Sequence, residues 1–365
     1  MTNYSRRKFI LQLGTGMLAL PILPRLHKAA NLLSDKKLGI ALVGLGNYST
    51  YELAPALMET QNCKLAGIVT GTPEKAVRWK DRYKIPDKNI YNYQNFDKII
   101  DNNDIDVVYI VLPNSMHHEF TIRAAKAGKH VICEKPMAVS VKECHEMIDS
   151  CRNSGVRLFI GYRLHFDPFH KAAMKFRTEQ GGHLQTMDSA FAFRIGDPAQ
   201  WRLKKSLAGG GALMDLGIYC IQASRYCTGA EPIAVKAIVE KTDSVKFAEV
   251  EETMRIQFEF PDSVAATAMC SYNLYENHLK LTSEKEWFEL QSAFSYGGIR
   301  GLTNKGKLDI LPVNQQALQM DGFSRCIING LPSDAEGKEG LNDLRVIEAL
   351  YMSVATGKKV EVRKD

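Results

Sequence analysis

The residues of this chain best suited to chemistry are Lys135, Asp215 and Tyr219. Lys135 closes the run His130-Val131-Ile132-Cys133-Glu134-Lys135-Pro136, a short apolar stretch that stops at an acid, a base and a proline. A run so bounded reads as an interior parallel strand, and ligands of open α/β sheets gather at the strands' carboxyl ends. Lys135 is therefore expected at a ligand; the plainer reading is a solvated lysine in a strand-to-helix loop. Asp215 and Tyr219 follow Ala208-Gly209-Gly210-Gly211-Ala212, and their i, i+4 spacing places them on one helical face. A packed tyrosine and a capping aspartate would have the same spacing. The glycine loop before them suits close approach, or an anion at a helix N-terminus.

A second glycine turn lies near the start of the ordered pattern. Leu38 to Val43 is a clean strand running into Gly44-Leu45-Gly46-Asn47-Tyr48-Ser49, with helical character from Glu52 to Thr60. Strand, glycine turn and helix in that order are what a dinucleotide fingerprint requires. Ser49 replaces the third glycine, a small residue that still permits helix-to-strand packing. The next strand, Lys64 to Val69, ends in Thr70-Gly71-Thr72-Pro73-Glu74-Lys75 rather than in an acid. An acid at that end would hold a ribose 2′-hydroxyl and repel a 2′-phosphate. Hydroxyls at Thr70 and Thr72 and a cation at Lys75 favour NADP over NAD.

The elements that must carry these residues alternate. Ile105 to Val111 is a buried strand ending in Leu112-Pro113-Asn114, His117 to Ala127 a helix, and Ser140 to Ser154 an amphipathic helix with Ser140 as its cap. Arg157 to Ile160 is the next strand, ending in Gly161-Tyr162-Arg163. Residues 36–160 therefore read as a doubly wound parallel sheet of Rossmann type. Beyond it, period-two runs at Leu184 to Phe193, Pro232 to Glu240, Glu252 to Phe260 and Ala265 to Tyr272, with short runs near Lys280 and Trp287, predict a second domain. It spans residues 161–365 and is α+β with a largely antiparallel open sheet, closing with a helix from Leu341 to Ala355 stopped at Gly357. The fold class is α/β.

With 365 residues, 45% of them hydrophobic, the chain can bury two cores. Its formal charge of +6 does not indicate nucleic acid, because Arg6, Arg7, Lys8, Arg25 and Lys28 precede the first acid and account for all but one of it. Eight cysteines show no Cys-x-x-Cys or Cys/His ligand spacing, so no metal is expected. The pairs Cys144/Cys151 and Cys220/Cys227 lie two helical turns apart and read as buried faces. Residues 1–35 read as a leader and short linker. Ser5-Arg6-Arg7-Lys8-Phe9-Ile10-Leu11 and a broken apolar stretch to Leu23 look like a twin-arginine export signal, which predicts a periplasmic protein exported already folded.

Taken together, Gly44-Leu45-Gly46, Leu112-Pro113-Asn114-Ser115-Met116-His117, Glu134-Lys135-Pro136 and the glycine-led helix to Tyr219 resemble the Gfo/Idh/MocA oxidoreductase family. Tyr91-Asn92-Tyr93-Gln94-Asn95-Phe96-Asp97, Gly161-Tyr162-Arg163 with Asp167-Pro168, and Trp201-Arg202-Leu203 resemble its glucose–fructose oxidoreductase branch. That resemblance implies NADP shuttling a hydride between two sugars, oxidising an aldose at C1 to its lactone and reducing a second sugar. It implies Lys135 orienting cofactor and substrate, Tyr219 as proton donor and acceptor, and Asp215 assisting. A phenol is a weak acid, and a neighbouring ammonium stabilises its phenolate. The resemblance further implies a 2′-phosphate site at Thr70, Gly71 and Lys75, a pyrophosphate turn that includes Asn47 and Tyr48, and cofactor-lining positions at Tyr93, Pro113, Asn114, His117, Glu134, Arg163, Trp201 and Arg202. A homo-oligomer, dimer or tetramer, through the second domain's sheet is the family expectation. The branch's long proline-rich arm ahead of the first strand has no counterpart here, which leaves cofactor exchange open. The alternatives are a conventional sugar or diol dehydrogenase with exchangeable cofactor, an NAD-dependent glycosidase, and a non-catalytic sugar or nucleotide sensor on the same fold.

Overall fold

Six strands form a parallel sheet: β1 (Leu38–Val43), β2 (Cys63–Val69), β3 (Ile90–Tyr91), β4 (Val107–Ile110), β5 (His130–Cys133) and β6 (Leu158–Ile160), in the order β3-β2-β1-β4-β5-β6. This computed structural model describes residues 37–179 and 182–363, so the leader expected from the sequence lies outside the described residues. Helices cover both faces, which is why these strands are apolar throughout. Strand order reverses between β1 and β4, the switch point at which such sheets bind ligands. Register then fixes what meets there. Val43 pairs with Val69 and Ile110, Ile110 with Cys133, and Cys133 with Ile160. The strand ends are therefore level, and Thr70, Gly44, Val111, Glu134 and Gly161 emerge in one row.

One helical reading beside the first sheet needs adjustment. In place of one helix from Glu52 to Thr60, a π-helical turn (Ser49–Leu53) leads into a short helix (Ala54–Leu57). Pro55 has no N–H to donate and fits only a helix's first turn, so the helix restarts there. The Val141–Asn153 helix begins where Ser140 predicted, with the Ser140 hydroxyl accepting the Glu143 N–H at 3.3 Å.

The second sheet has nine strands: β7 (Leu184–Ala192), β8 (Ala234–Glu240), β9 (Thr253–Glu259), β10 (Ala265–Ser271), β11 (Glu276–Ser283), β12 (Trp287–Gln291), β13 (Arg300–Thr303), β14 (Gly306–Lys307) and β15 (Val360–Glu361). Their order is β14-β13-β12-β11-β7-β10-β9-β8-β15. Only the β7–β10 pair is parallel. Helices Pro168–Glu179, Ile218–Thr228 and Gly337–Thr356 pack on this sheet, and side chains along β8 and β9 alternate between buried and exposed.

The helix Gln315–Asn329 was not read from the sequence, because its buried side chains include Gln315, Gln316, Gln319, Asp321 and Ser324, which blur the apolar period. It runs back against the first sheet. Phe323 stacks on Phe159 of β6 with ring centroids 4.6 Å apart, and the Asp321 carboxylate accepts the Gln61 and Asn62 N–H groups at 2.7–3.0 Å. Gly337–Thr356 starts four residues before the expected Leu341; just ahead of it the Ala335 carbonyl accepts the Ile160 N–H at 2.8 Å. Both Phe159 and Phe323 are fully buried. Phe323→Ala should lower unfolding stability by about 3–5 kcal/mol in denaturant titrations; a change within about 0.5 kcal/mol would mean that this helix does not clamp the first sheet.

Candidate active site

The turn after β1 is built around one backbone position. Gly44 has φ +94°, and a Cβ there would lie 2.4 Å from the Val111 carbonyl oxygen, so only glycine fits. The Ser49 hydroxyl donates to the Gly44 carbonyl at 2.6 Å and the Thr50 hydroxyl to the Gly46 carbonyl at 2.7 Å, locking the turn. Gly46 faces open space, and a Cβ there would meet nothing within 4 Å. Lys75 reaches across from the first turn of the helix Pro73–Tyr83 that follows β2 and donates to the Leu45 carbonyl at 3.0 Å. Thr70 is buried, its hydroxyl accepting the Thr72 N–H at 3.2 Å. Gly71 lies against the face of Tyr93, where a Cβ would come within 2.9 Å of the ring.

These groups wall a cleft of about 580 Å³ that continues past Asn47, Tyr48, Pro113 and Asn114 to Trp201 and Arg202. It fits a dinucleotide: the glycine turn leaves room for backbone approach, and Lys75 sets a cation at the far end. Glu74, the acid next to Lys75 in the chain, is exposed and not part of the wall. Asn114 also braces the opposite wall, its amide donating to the Ala208 carbonyl at 2.8 Å.

At the inner end of the cleft two cations share one carboxylate. Lys135 Nζ donates to the Asp215 carbonyl at 2.8 Å and to Asp215 Oδ1 at 3.1 Å. Arg202 Nε donates to Asp215 Oδ2 at 2.9 Å and the Tyr272 hydroxyl to the same oxygen at 3.1 Å. Burial pushes the Asp215 carboxyl up, but the Arg202 and Lys135 cations and their hydrogen bonds outweigh it and hold it well below the usual carboxylate range. Burial likewise opposes the charge on Lys135; Tyr219, Asp215 and Glu134 overcome it and raise the ammonium above the ordinary lysine value. Asp215 is thus a fixed anion and Lys135 a fixed cation. The Lys135 ammonium stands 4.7 Å from the Tyr219 ring centroid.

What aims Asp215 and Tyr219 is the glycine loop, which acts by close approach. A Cβ on Gly210 would lie 1.8 Å from the Tyr351 hydroxyl, and one on Gly211 2.3 Å from the Glu251 carbonyl oxygen. The acceptor at this helix start is the protein's own: Glu251 Oε1 accepts the Gly211 and Leu213 N–H groups, each at 2.9 Å, and the Tyr351 hydroxyl at 3.1 Å, while burial raises its carboxyl against those hydrogen bonds. The chain then passes through a π-helical turn, Leu213–Gly217, into the helix Ile218–Thr228.

Glu134 faces the cleft and is buried. Its Oε1 accepts the Tyr109 hydroxyl at 2.6 Å, and that hydroxyl accepts the Gln319 amide at 2.8 Å. Burial raises the Glu134 carboxyl, with the Tyr109 hydrogen bond opposing. His117 does not line the cleft. It is 1% exposed, with its ring nitrogens 2.8 Å and 2.9 Å from the carbonyls of Pro136 and Leu112, so it sits between two strand-end loops behind the wall, its one N–H free to donate to either carbonyl. Arg163 is also displaced from its expected place, lining a second pocket.

That pocket, about 550 Å³, adjoins the first across a shared wall that includes Lys135, Asp215, Tyr219 and Arg202, with Asn47, Tyr48, Gln200 and Tyr296 also facing both. Its other sides are aromatic, with Tyr51, Phe191, Phe193, Phe294 and Tyr296, and with Glu52 and Gln200 as polar contacts. The sequence reading missed Tyr272, Glu251, Phe294 and Tyr296. Tyr272 and Glu251 flank strands and look like strand residues; Tyr296, just before Gly297-Gly298, carried a usable signal of an aromatic in a flexible loop.

Residues 38–162 match the oxidoreductase family with an NAD-binding Rossmann fold (GFO_IDH_MocA), and residues 169–290 match the GFO/IDH/MocA C-terminal domain. The crystal structure of aldose-aldose oxidoreductase from Caulobacter crescentus complexed with glycerol is 43% identical, covers 89% of this chain and 100% of its own, and superposes with a TM-score of 0.87. The NADP(+)-dependent D-xylose 1-dehydrogenase of Haloarcula marismortui is 28% identical over 343 residues, 90% of this chain and 94% of that one. Levoglucosan dehydrogenase in complex with NADH and levoglucosan, at 22% identity over 90% of this chain and 100% of that one and a TM-score of 0.77, shares the fold.

The charge arrangement makes a stability prediction. Because folding depresses the Asp215 pKa, its ionised form stabilises the fold; that contribution is complete above the unfolded value of about 3.9 and is lost as pH falls through the folded one. Asp215→Asn, which strands Lys135 and Arg202, should cost about 3 kcal/mol at neutral pH. In thermal melts the gap to wild type should narrow below about pH 4; a gap that stays constant down through the acid range would contradict the assignment.

Proposed function

Because this chain belongs to the Gfo/Idh/MocA oxidoreductase family, we propose that it is an NADP-dependent sugar oxidoreductase that oxidises an aldose at C1 to the lactone and passes the hydride to a second sugar. The observation that carries this reading is the shared wall: Lys135, Asp215 and Tyr219 stand between a dinucleotide cleft and an aromatic pocket. The names of the aldose-aldose oxidoreductase and the xylose dehydrogenase support an aldose and NADP.

Bound at the Gly44–Tyr48 turn, with its 2′-phosphate toward Thr70, Gly71 and Lys75, NADP supplies the acceptor and donor of hydride. The chain's own residues handle the proton. Tyr219 takes it from the C1 hydroxyl as the C1 hydrogen leaves with its electron pair, and gives it back to the carbonyl oxygen of the second sugar. Lys135 stabilises the phenolate form of Tyr219 that takes up the first proton and is formed again when the proton passes to the second sugar, and Asp215 keeps Lys135 charged and in place. Aromatic faces around the pocket suit the apolar faces of a sugar ring.

Export follows from the twin-arginine pattern at Ser5-Arg6-Arg7, which supports a periplasmic enzyme loaded with cofactor before transport. The alternating exposed face of the second sheet supports a homodimer or tetramer. A second reading, a dehydrogenase with exchangeable NADP, is favoured by one observation: Gly71 and Thr72 are exposed, so the 2′-phosphate end of the cleft is open.

The test uses the purified full chain without added nucleotide. Glucose should raise absorbance at the reduced-nicotinamide band by about one equivalent per subunit, and fructose should reverse it; turnover only after NADP is supplied would select the exchangeable-cofactor reading. Lys135→Ala and Tyr219→Phe should each lose at least about a hundredfold in turnover, and retained turnover would remove the proton relay. Lys75→Ala should weaken NADP far more than NAD in binding titrations; equal weakening of both would remove the 2′-phosphate assignment.

A further inference from the structure

Arg163 is a buried charge with no carboxylate paired to it among the described residues. It is 2% exposed, and its terminal nitrogens donate to the carbonyls of Ser295 (3.1 Å) and Phe294 (2.5 Å) and to the side-chain oxygen of Gln315, all neutral acceptors. Gln315 in turn donates to Asp167 at 2.9 Å, so that carboxylate is linked to the guanidinium only through an amide. Arg163 Nε is buried and has no hydrogen-bond partner among the described residues. Burying an uncompensated cation costs several kcal/mol, which hydrogen bonds to neutral acceptors only partly offset.

The guanidinium is surrounded by phenols. Its central carbon lies 5.1 Å from the ring centroid of Tyr219 and 4.6 Å from that of Tyr296, which stacks on Tyr48 at 5.6 Å. Resting on the proton-relay reading above, we propose that Arg163 is the second cation of the relay, held over Tyr219 so that the negative charge formed there during turnover is its counter-ion. Lys135 is already partnered by Asp215 before any proton moves; Arg163 is not. Its free Nε–H is the donor left to answer a phenolate or a substrate oxygen in the pocket that it lines with Tyr219.

The other ionisable groups that face Arg163 are Glu134, Glu52, His170, Asp167, Tyr48 and Tyr296. Burial raises Glu134, which makes it a weak counter-ion, and Glu52 is raised for the same reason. All six are unchanged in the variants below.

The experiment compares Arg163→Met and Arg163→Lys in the full chain loaded with NADP, by thermal melting, NADP titration, and turnover with aldose as a function of pH. Arg163→Met, which leaves the Phe294, Ser295 and Gln315 acceptors without their donor, should melt below the wild-type midpoint yet stay folded at the assay temperature and keep its NADP affinity. Its rising pH–rate limb should move to higher pH by at least about one unit, roughly tenfold in rate near neutrality, with the curves converging at alkaline pH. Arg163→Lys should recover most of that shift. A uniform loss across pH, an unmoved profile, or an Arg163→Met chain that fails to fold would each overturn the proposal, the last because the charge would then serve the fold. Retained turnover in Tyr219→Phe would instead remove the relay itself, which keeps the two failures apart.

Discussion

The site depends on a single buried carboxylate shared by two cations. Asp215 is 17% exposed at its side chain and Lys135 12%, a setting in which an isolated ion would neutralise itself. Neither does, because Lys135 and Arg202 approach different oxygens of Asp215 and Tyr272 completes the second one. Each ion of this group is tolerable only in the presence of the others. The arrangement also brings together chain segments that are far apart: Lys135 from the end of β5, Arg202 from the loop after β7, Asp215 from the π-helical turn and Tyr272 from the end of β10. The two sheets are therefore joined by the same contacts that fix the charge beside Tyr219.

The sequence made the first sheet readable because parallel strands buried on both faces are unbroken apolar runs, and glycines and prolines mark where they stop. Lys135, Glu134, Gly44 and Thr70 could be placed at one edge because strand ends are where such a sheet meets a ligand, and the level register at Val69, Val43, Ile110, Cys133 and Ile160 aligns that row. Residues whose importance comes from distant partners were not readable. Tyr272 looks like any strand tyrosine, and Glu251 is one of several acids before β9. His117 was placed in the wall by motif, but two backbone carbonyls hold it behind that wall. Arg163 was assigned to the cofactor by the same route, and its guanidinium is held instead by the Phe294–Ser295 loop, a contact between residues more than a hundred positions apart.

The two glycine-rich turns illustrate why a motif needs its surroundings. Both precede a helical segment and both contain glycines that no other residue could replace. The first opens onto the cleft at Gly46. The second is closed, its N–H groups at Gly211 and Leu213 taken by Glu251 and its Cα positions pressed against Tyr351 and the Glu251 backbone. From sequence each is equally an anion site; a carboxylate from the same chain already occupies the second.

That internal carboxyl group ties the segment bearing Asp215 and Tyr219 to a later part of the chain. Glu251 lies 40 residues beyond Gly211 and 38 beyond Leu213, so the start of the helix bearing Asp215 and Tyr219 has no cap of its own until β9 is nearly reached. Short helices with costly nuclei do not hold such an end by themselves. A shortened chain ending before Glu251 would contain the whole nucleotide half, Lys135, Asp215 and Tyr219, and would still not present them together. Active chemistry in this protein is a property of the completed polypeptide, and fragments or split halves are unsuitable as minimal enzymes.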